Sequence, residues 1–576
     1  MHEPNALTPR AIATGLCAGA LLALGNLTVG LATGIWDSGQ ITASLLAFAL
    51  ASALPAGRGR FTPLENDAAQ VLACAAAAMP AAMGLLGALP ALQQLGLDLR
   101  ANGLVLLTLG TSLALLGAGL AFLLAPRLLD EEKLPFPTGI ATAELIGALH
   151  GNGDEARQRT RALLLAGAAA LAIVWLRDPH PTLAGTGWNL HGAWADGVVP
   201  AALFLPLALG EVDGAALGLG VGVSPLLWGV GIVVGVRTGI SLALGALFAW
   251  ALGGPLLLSR GLVAQPDQLG TWLVWPGVAI LVGASAIDLA AQARSLLRSL
   301  ADLSGAARTG FARFSGPALA LALLVLVSAH QAMGLSYLAG LVSLLLFAPL
   351  CALVARAAGQ TDVAPISQSG QATQALAGPL CATAPADVGA GAIVAGGAAE
   401  AATVLWSLRA GRILGAARFT QARSAVIGIV FGALFSLPAY LLLVRSAPIG
   451  SARNPAPSAA QWRAIAELVT HGTRVLPPGA LAASLCAVLL GALLALGSRG
   501  PGARFLPSPI ALGIGFLIPA AASTAVLAGG LLALVIGRLL PARASALPPS
   551  IAAGLIAGES LLSFALAALG ALGLFH

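Results

Sequence analysis

Apolar residues in this chain run in long blocks. They fall near residues 11–33, 39–55, 68–90, 103–125, 135–150, 161–176, 197–210, 214–235, 237–258, 271–290, 315–333, 336–355, 365–403, 421–444, 480–498, 508–540 and 548–574, with interruptions inside 365–403 and 508–540. Strict two-residue alternation is absent. Stretches such as 104–125 and 335–354 carry no charge over about the 20 residues that a helix needs to cross a ~30 Å hydrocarbon core. The pattern predicts an all-α integral membrane protein with about 14–16 transmembrane helices and some broken or re-entrant segments. Residues 11–33 follow a single arginine and lack a clear small-residue cleavage site, so they read as a first span and not as a removable signal.

Composition agrees with the pattern. Of 576 residues, 58% are hydrophobic and 9% charged, whereas a soluble domain carries roughly a quarter charged residues; the mean hydropathy is +0.90. The 72 glycines, with abundant alanine, provide small-residue faces on which helix backbones approach closely. Such faces serve packing within the chain or a homodimer seam equally well. Five cysteines (Cys17, Cys74, Cys351, Cys381, Cys486) form no CxxC pair and read as buried bystanders, with no disulfide framework, metal site or cofactor implied. The net charge of +6 is no nucleic-acid signal, because basic residues of a membrane protein report cytoplasmic loops. Arginines cluster at 157–161, at 294–313 and at 409–423, and all three loops are expected in the cytoplasm. Residues 445–478 form the longest other polar connection, which reads as a Pro-rich turn and a short surface helix on the opposite side.

The basic linker 294–313 divides the chain into two transmembrane halves, 1–293 and 314–576, that echo each other. "GLATGIWDSGQITASLLAFALASAL" precedes "TPLENDAAQVLACA" as "GLSYLAGLVSLLLFAPLCALVARAA" precedes "GQTDVAPISQSGQATQAL", and "LPFPTGIATAELIGAL" has a counterpart in "LPSPIALGIGFLIPAA". Two pseudo-symmetric halves with breaks at corresponding positions point to a secondary transporter, with its substrate site near the midplane.

The breaks carry the candidate chemistry. Pro135 and Pro137 allow a helix to begin only near Pro137, which puts Thr138, Gly139 and Thr142 in its first turns. A half-helix start buried in the protein offers free N–H groups and a positive dipole end to an anionic solute, with Glu144 two turns deeper; a helix entry at the surface accounts for the same residues. In "TPLENDAAQ", Asn66 and Gln70 share a face, and Asp67 reads as a cap. In the polar run after Thr361, Asp362 and Ser367 precede Gln371 and Gln374, whose amides can donate to and accept from a peptide. Ionisable groups inside apolar segments are functional candidates by default. Glu400 and Glu559 are each read as a proton-exchanging carboxylate or as the partner of an arginine. Glu211, Asp213, Asp288 and His330 read as break or interfacial residues.

These motifs resemble the oligopeptide transporter (OPT) family, which includes peptide carriers and the yellow stripe-like carriers of metal chelates. "LPFPTGIATAELI" is similar to that family's LPFPSGxATAxxI pattern, "AGQTDVAPI" with Gly370 and Gln374 resembles GxTDxNPxxxxGxxxQ, and "ENDAAQ" resembles ENNxVQT. Ala364 departs from the asparagine common in the family. The likeness continues through "GVRTGISLALGALFAW", "RAGRILGAARFTQ", "PAPSAAQW" and "IAAGLIAGESL", nearly the whole length. The resemblance implies proton-coupled uptake of small peptides, or of peptide-like metal chelates, across the cytoplasmic membrane. It implicates Glu65, Asn66, residues 135–144, Thr361, Asp362, Pro365, Gly370 and Gln374. The carboxylates first in line for proton coupling are Glu144 and then Glu400. A membrane enzyme is the rival class, yet no HExxH, GxSxG, paired-aspartate or P-loop signature is found; a channel is the other alternative.

Overall fold

The computed structural model describes residues 6–34, 36, 39–53, 60–97, 103–151, 153–177, 198–204, 206, 208–209, 212–291, 311–361, 364–451, 454–539 and 547–571. In chain order its helices are α1 (Pro9–Thr33), α2 (Gln40–Ala53), α3 (Pro63–Ala82), α4 (Ala88–Gln94), α5 (Gly103–Ala125), α6 (Pro137–Gly151), α7 (Gly153–Arg177), α8 (Pro225–Ala246), α9 (Gly254–Ser259) and α10 (Leu269–Ala291). After residues 292–310 follow α11 (Phe311–Met333), α12 (Tyr337–Thr361), α13 (Ile366–Ala377), α14 (Ala384–Leu414), α15 (Arg418–Ser446), α16 (Pro457–His471), α17 (Ala480–Gly497), α18 (Pro509–Leu517), α19 (Ala520–Leu539) and α20 (Leu547–Ala571). Twelve of the described helices are long and apolar enough to cross a membrane. The chain is an all-α, multi-pass membrane protein.

That number is smaller than the apolar blocks predict because several blocks are short or broken. Helix α2 has 14 residues, and the block at 508–540 divides at Ile518 and Pro519 into the 9-residue α18 and α19. The described residues of 197–210 form no helix: Pro200 and Pro206 break the run, and two small antiparallel pairs form instead. They are β1 (Ala202–Phe204) with β4 (Gly220–Gly222), and β2 (Ala208–Leu209) with β3 (Val212–Asp213). The end of the block at 214–235 and the start of that at 237–258 join in one kinked helix, α8, whose Gly235 sits at φ 80° and ψ 165°.

Packing sorts the helices into two bundles. Helices α1–α6 and α11–α16 contact chiefly one another, as do α7–α10 and α17–α20. Each bundle therefore takes one block from each side of the 294–313 linker. Helix α20 lies along the seam against α1 and α15. The first bundle is organised around α14, which is buried at every residue from 386 to 408 and touches α3, α5, α6, α12, α13 and α16. Small residues permit this: a Cβ on Gly117 of α5 would stand 2.1 Å from the Gly397 carbonyl oxygen. In the second bundle a Cβ on Gly231 would meet the Val526 carbonyl oxygen at 2.0 Å.

Other details depart from expectation. Cys17 and Cys486 are exposed, on outward faces of α1 and α17, instead of buried. Helix α16 is not a purely surface helix, because its apolar stripe turns inward and buries Ala459, Trp462 and Ala466.

Candidate functional site

Two polar clusters and one isolated carboxyl are strung along α14. The first cluster lies near its N-terminal end. Gln374 of α13 donates from Nε2 to Asp387 Oδ2 at 3.2 Å and to the Trp462 carbonyl of α16 at 3.4 Å. Gln374 and Asp387 are fully buried and Gln371 nearly so. Asp387 Oδ1, Gln374 Oε1 and Gln371 Nε2 have no hydrogen-bonding partner among the described residues. Glycines bring these helices together: Cβ atoms on Gly370 and Gly391 would collide with the Trp462 ring at 2.5 and 2.7 Å. Beside the cluster is a cavity of about 40 Å³ lined by Trp36, Ser367, Ala392, Ala395, Ser458 and Trp462. A second cavity of about 70 Å³ lies at the seam of the two bundles, between α1, α2, α8 and α20, and Trp36 lines it too. Both are far below the ~300 Å³ of an ordinary ligand pocket.

The second cluster lies toward the other end of α14. Gln70 of α3 donates to Ser407 Oγ at 3.0 Å and to Cys74 Sγ at 3.2 Å. Gln421 of α15 donates to Asp67 Oδ2 at 3.2 Å and to the Ser407 carbonyl at 3.3 Å. Gln40 of α2 reaches the Thr403 carbonyl at 3.3 Å. Asn66, Asp67, Gln70 and Gln421 are all fully buried. Asp67 is therefore no cap. Thr62 takes that role in a capping box with Glu65, because the hydroxyl at the last non-helical residue reaches the N3 amide while the Glu65 carboxylate returns to the Thr62 amide.

At 1.5 Å per residue, Asp387 and Ser407 stand about 30 Å apart along α14, close to the thickness of a hydrocarbon core. Glu400 lies between them, two turns from Ser407 and on the same helix face. It is fully buried, and neither carboxylate oxygen has a hydrogen-bonding partner among the described residues. Glu559 of α20 is different. It is also buried, but it accepts from Arg177 at 3.0 Å, from Ser224 Oγ at 3.1 and 3.0 Å, and from the Leu226 amide at 2.6 Å. Of the two readings open for these carboxylates, Glu559 is the arginine partner.

Helix α6 begins at Pro137, as the proline pair requires. Its start lies beside the exposed residues 130–133, and Pro137 itself is exposed. Phe136, held at φ 46°, is fully buried and donates its amide to the Gly359 carbonyl at 3.0 Å. Gly139 faces the Trp406 carbonyl, which a Cβ would approach to 2.5 Å, and Thr142 is buried with its hydroxyl on the Thr138 carbonyl at 2.8 Å. At the far end His150 packs against Phe48 and Phe61. Helix α3 runs antiparallel to α14, since Gln70 meets Ser407 whereas the Ala82 carbonyl lies against Gly396. Both ends of α6 thus stay in the same half of the bundle, and α6 is a partial helix that does not cross. Glu144 is exposed on its outer face.

The structure brings Ser367, Gln371 and Gln374 together at one end of α14 and Asn66 with Gln70 at the other, while Gly139 sets α6 against α14, Thr138 and Thr142 bond each other within α6, and Pro137 is exposed. Asp362 and Glu211 lie outside the described residues, as do the side chains of Thr361 and Asp288. Sequence reasoning missed Asp387, Ser407, Gln421 and Trp462. Asp387 sits in the alanine-rich first turn of α14, and Gln421 is hidden among arginines. The clearest signal was Trp462, an aromatic three residues after a buried alanine in an otherwise polar connection.

The sequence profile described as "OPT oligopeptide transporter protein" matches residues 6–569. A curated relative, "Putative oligopeptide transporter YGL114W" of Saccharomyces cerevisiae, is 33% identical over 160 residues, covering 25% of this chain and 22% of the relative. The aligned part thus spans less than a quarter of that relative's length.

Proposed function

Because the chain belongs to the OPT oligopeptide transporter family, we propose that it carries small peptides into the cell across the cytoplasmic membrane by proton-coupled symport. The observation that carries this reading is Glu400: a carboxyl fully buried at mid-helix with both oxygens unpartnered. A buried charge without a partner is costly, and binding a proton removes that cost. Glu400 is thus suited to cross the barrier neutral and to release its proton only when water reaches it. Glu144, exposed on α6, meets no such barrier, so Glu400 replaces it as our first candidate for the coupling group.

The peptide is held at the Gln371 and Gln374 end. Their amides match the donor and acceptor pattern of a peptide bond, Asp387 Oδ1 accepts from an α-amino group, and the Trp462 ring and Ser367 close the cavity. Asn66 and Gln70 serve the opposite end of the path. Transport proceeds by alternating access, one bundle rocking against the other along the seam at α20, and the two small cavities on either side of Trp36 belong to the occluded step.

The test is uptake into proteoliposomes under an inward proton gradient, offering a tripeptide pool and, separately, Fe(III) or Ni(II) chelates. Peptide depletion that collapses with a protonophore is expected, together with loss of gradient stimulation in Glu400→Gln and its retention in Glu144→Gln. Depletion of the chelate alone would overturn the peptide assignment, and full gradient stimulation in Glu400→Gln would overturn the carboxyl's role.

A further inference from the structure

We propose that the cluster of Asn66, Asp67, Gln70, Ser407, Gln421 and Ser424 is a binding site for one sodium ion. The charge balance is the first reason. Asp67 is fully buried, and among the described residues its hydrogen-bonding partner is the neutral amide of Gln421 at 3.2 Å, with no lysine or arginine paired with it. A buried carboxylate is neutralised by a proton, by a paired base or by a bound cation, and the neighbouring donors decide which.

The donor set is the second reason. Both amide hydrogens of Gln421 have acceptors, Asp67 Oδ2 and the Ser407 carbonyl, and those of Gln70 have Ser407 Oγ and Cys74 Sγ. The Asp67 carboxylate and the Ser407 carbonyl only accept, so hydrogen bonding fixes the orientation of the Gln421 amide and leaves its oxygen over. Gln421 Oε1, Gln70 Oε1, Asp67 Oδ1, Asn66 Oδ1 and Ser424 Oγ are all buried and have no hydrogen-bonding partner among the described residues. These are hard oxygen donors, with a single thiol at the edge of the cluster, which is a set for a hard cation and not for a soft transition metal. A divalent ion would leave a net positive charge in the interior.

The third reason is position. The five oxygens come from α3 and α15, and Ser407 of α14 accepts from both glutamine amides, so an ion there is held between α3 and α15 against the end of α14 opposite the peptide cavity. The inference goes beyond the transport reading and does not need Glu400 to carry a proton.

Binding is measured on the purified full chain in detergent, by thermal melting in sodium chloride against potassium or choline chloride of equal ionic strength, and by ²²Na⁺ retention. A melting midpoint that rises by several degrees with sodium alone, and saturates, is expected, with one ion retained per chain. Asp67→Asn should abolish both responses while folding. Ser424→Ala, which keeps the charge and removes one hydroxyl, should shift the midpoint to higher sodium, and it serves as the test if Asp67→Asn does not fold. Equal melting in sodium, potassium and choline, or an undiminished sodium response in Asp67→Asn, would overturn the site. Neither result bears on peptide uptake, so the two proposals fail separately.

Discussion

Glu400 in the first bundle and Glu559 in the second are both carboxyls withdrawn from water, but their surroundings differ in kind. Around Glu559 everything a charge needs is present: the Arg177 guanidinium, the Ser224 hydroxyl and the Leu226 amide at the positive start of α8. Within one turn of Glu400, α14 carries only glycine, alanine and valine apart from Thr403, whose hydroxyl is turned to the Ala399 carbonyl. The first arrangement fastens three helices, α7, α8 and α20, at one point. The second fastens nothing and leaves a group whose protonation is free to follow its exposure. Burial does not distinguish the two carboxyls; hydrogen-bonding partners among the described residues do.

The largest expected effect tests the fastened side. Glu559→Gln leaves Arg177 without its carboxylate in a nearly closed site, and should lower stability by about 3–5 kcal/mol, read as a fall in the melting midpoint in detergent. A melting point equal to wild type would erase the contrast. Next is Gly117→Ala, which forces α5 away from the Gly397 carbonyl and should cost about 1–3 kcal/mol; solvent admitted beside Glu400 should also weaken gradient-driven uptake. Ser224→Ala removes the N-cap of α8 and one partner of Glu559, at about 1 kcal/mol.

A smaller effect is expected in acid. Outside the spans, Glu132 accepts both guanidinium N–H groups of buried Arg356 at 2.6 and 2.9 Å, and this hydrogen bonding holds its carboxyl below the usual carboxylate range against a modest desolvation. The contribution is complete above the unfolded value of about 4.3 and is lost as pH falls through the depressed folded value. The melting midpoint of the wild type should therefore fall more steeply than that of Glu132→Gln below about pH 4. The least effect on stability belongs to Glu400→Gln, under about 1 kcal/mol because no partner is abandoned, while uptake loses its response to the gradient. A large destabilisation there would reveal a partner and bring Glu400 into line with Glu559.

Much of the site was legible as residue types. Pro137 starting α6, the breaks before α13 and within 508–540, and the polar character of Gln371, Gln374, Asn66 and Gln70 all follow from local rules of helix initiation and the scarcity of polar groups in apolar blocks. Asp67 was misread because an acid near a helix start usually caps it, and only the Thr62 and Glu65 geometry reveals that the cap is already taken. The inward turn of Trp462 depends on Gly370 and Gly391, which lie far away in sequence.

The sequence alone determined that this is a helical membrane protein, because hydropathy over a span and proline at a break act locally along the chain, and its motifs and profile match place it in the oligopeptide transporter family. Only the tertiary structure decided that α1–α6 pack with α11–α16 and α7–α10 with α17–α20, that Asp387 and Gln421 join residues already suspected, and that Glu559 is paired while Glu400 is not. Pairing depends on which distant backbones approach, and that is set by small residues meeting across helices, a property of two segments at once that neither segment carries by itself.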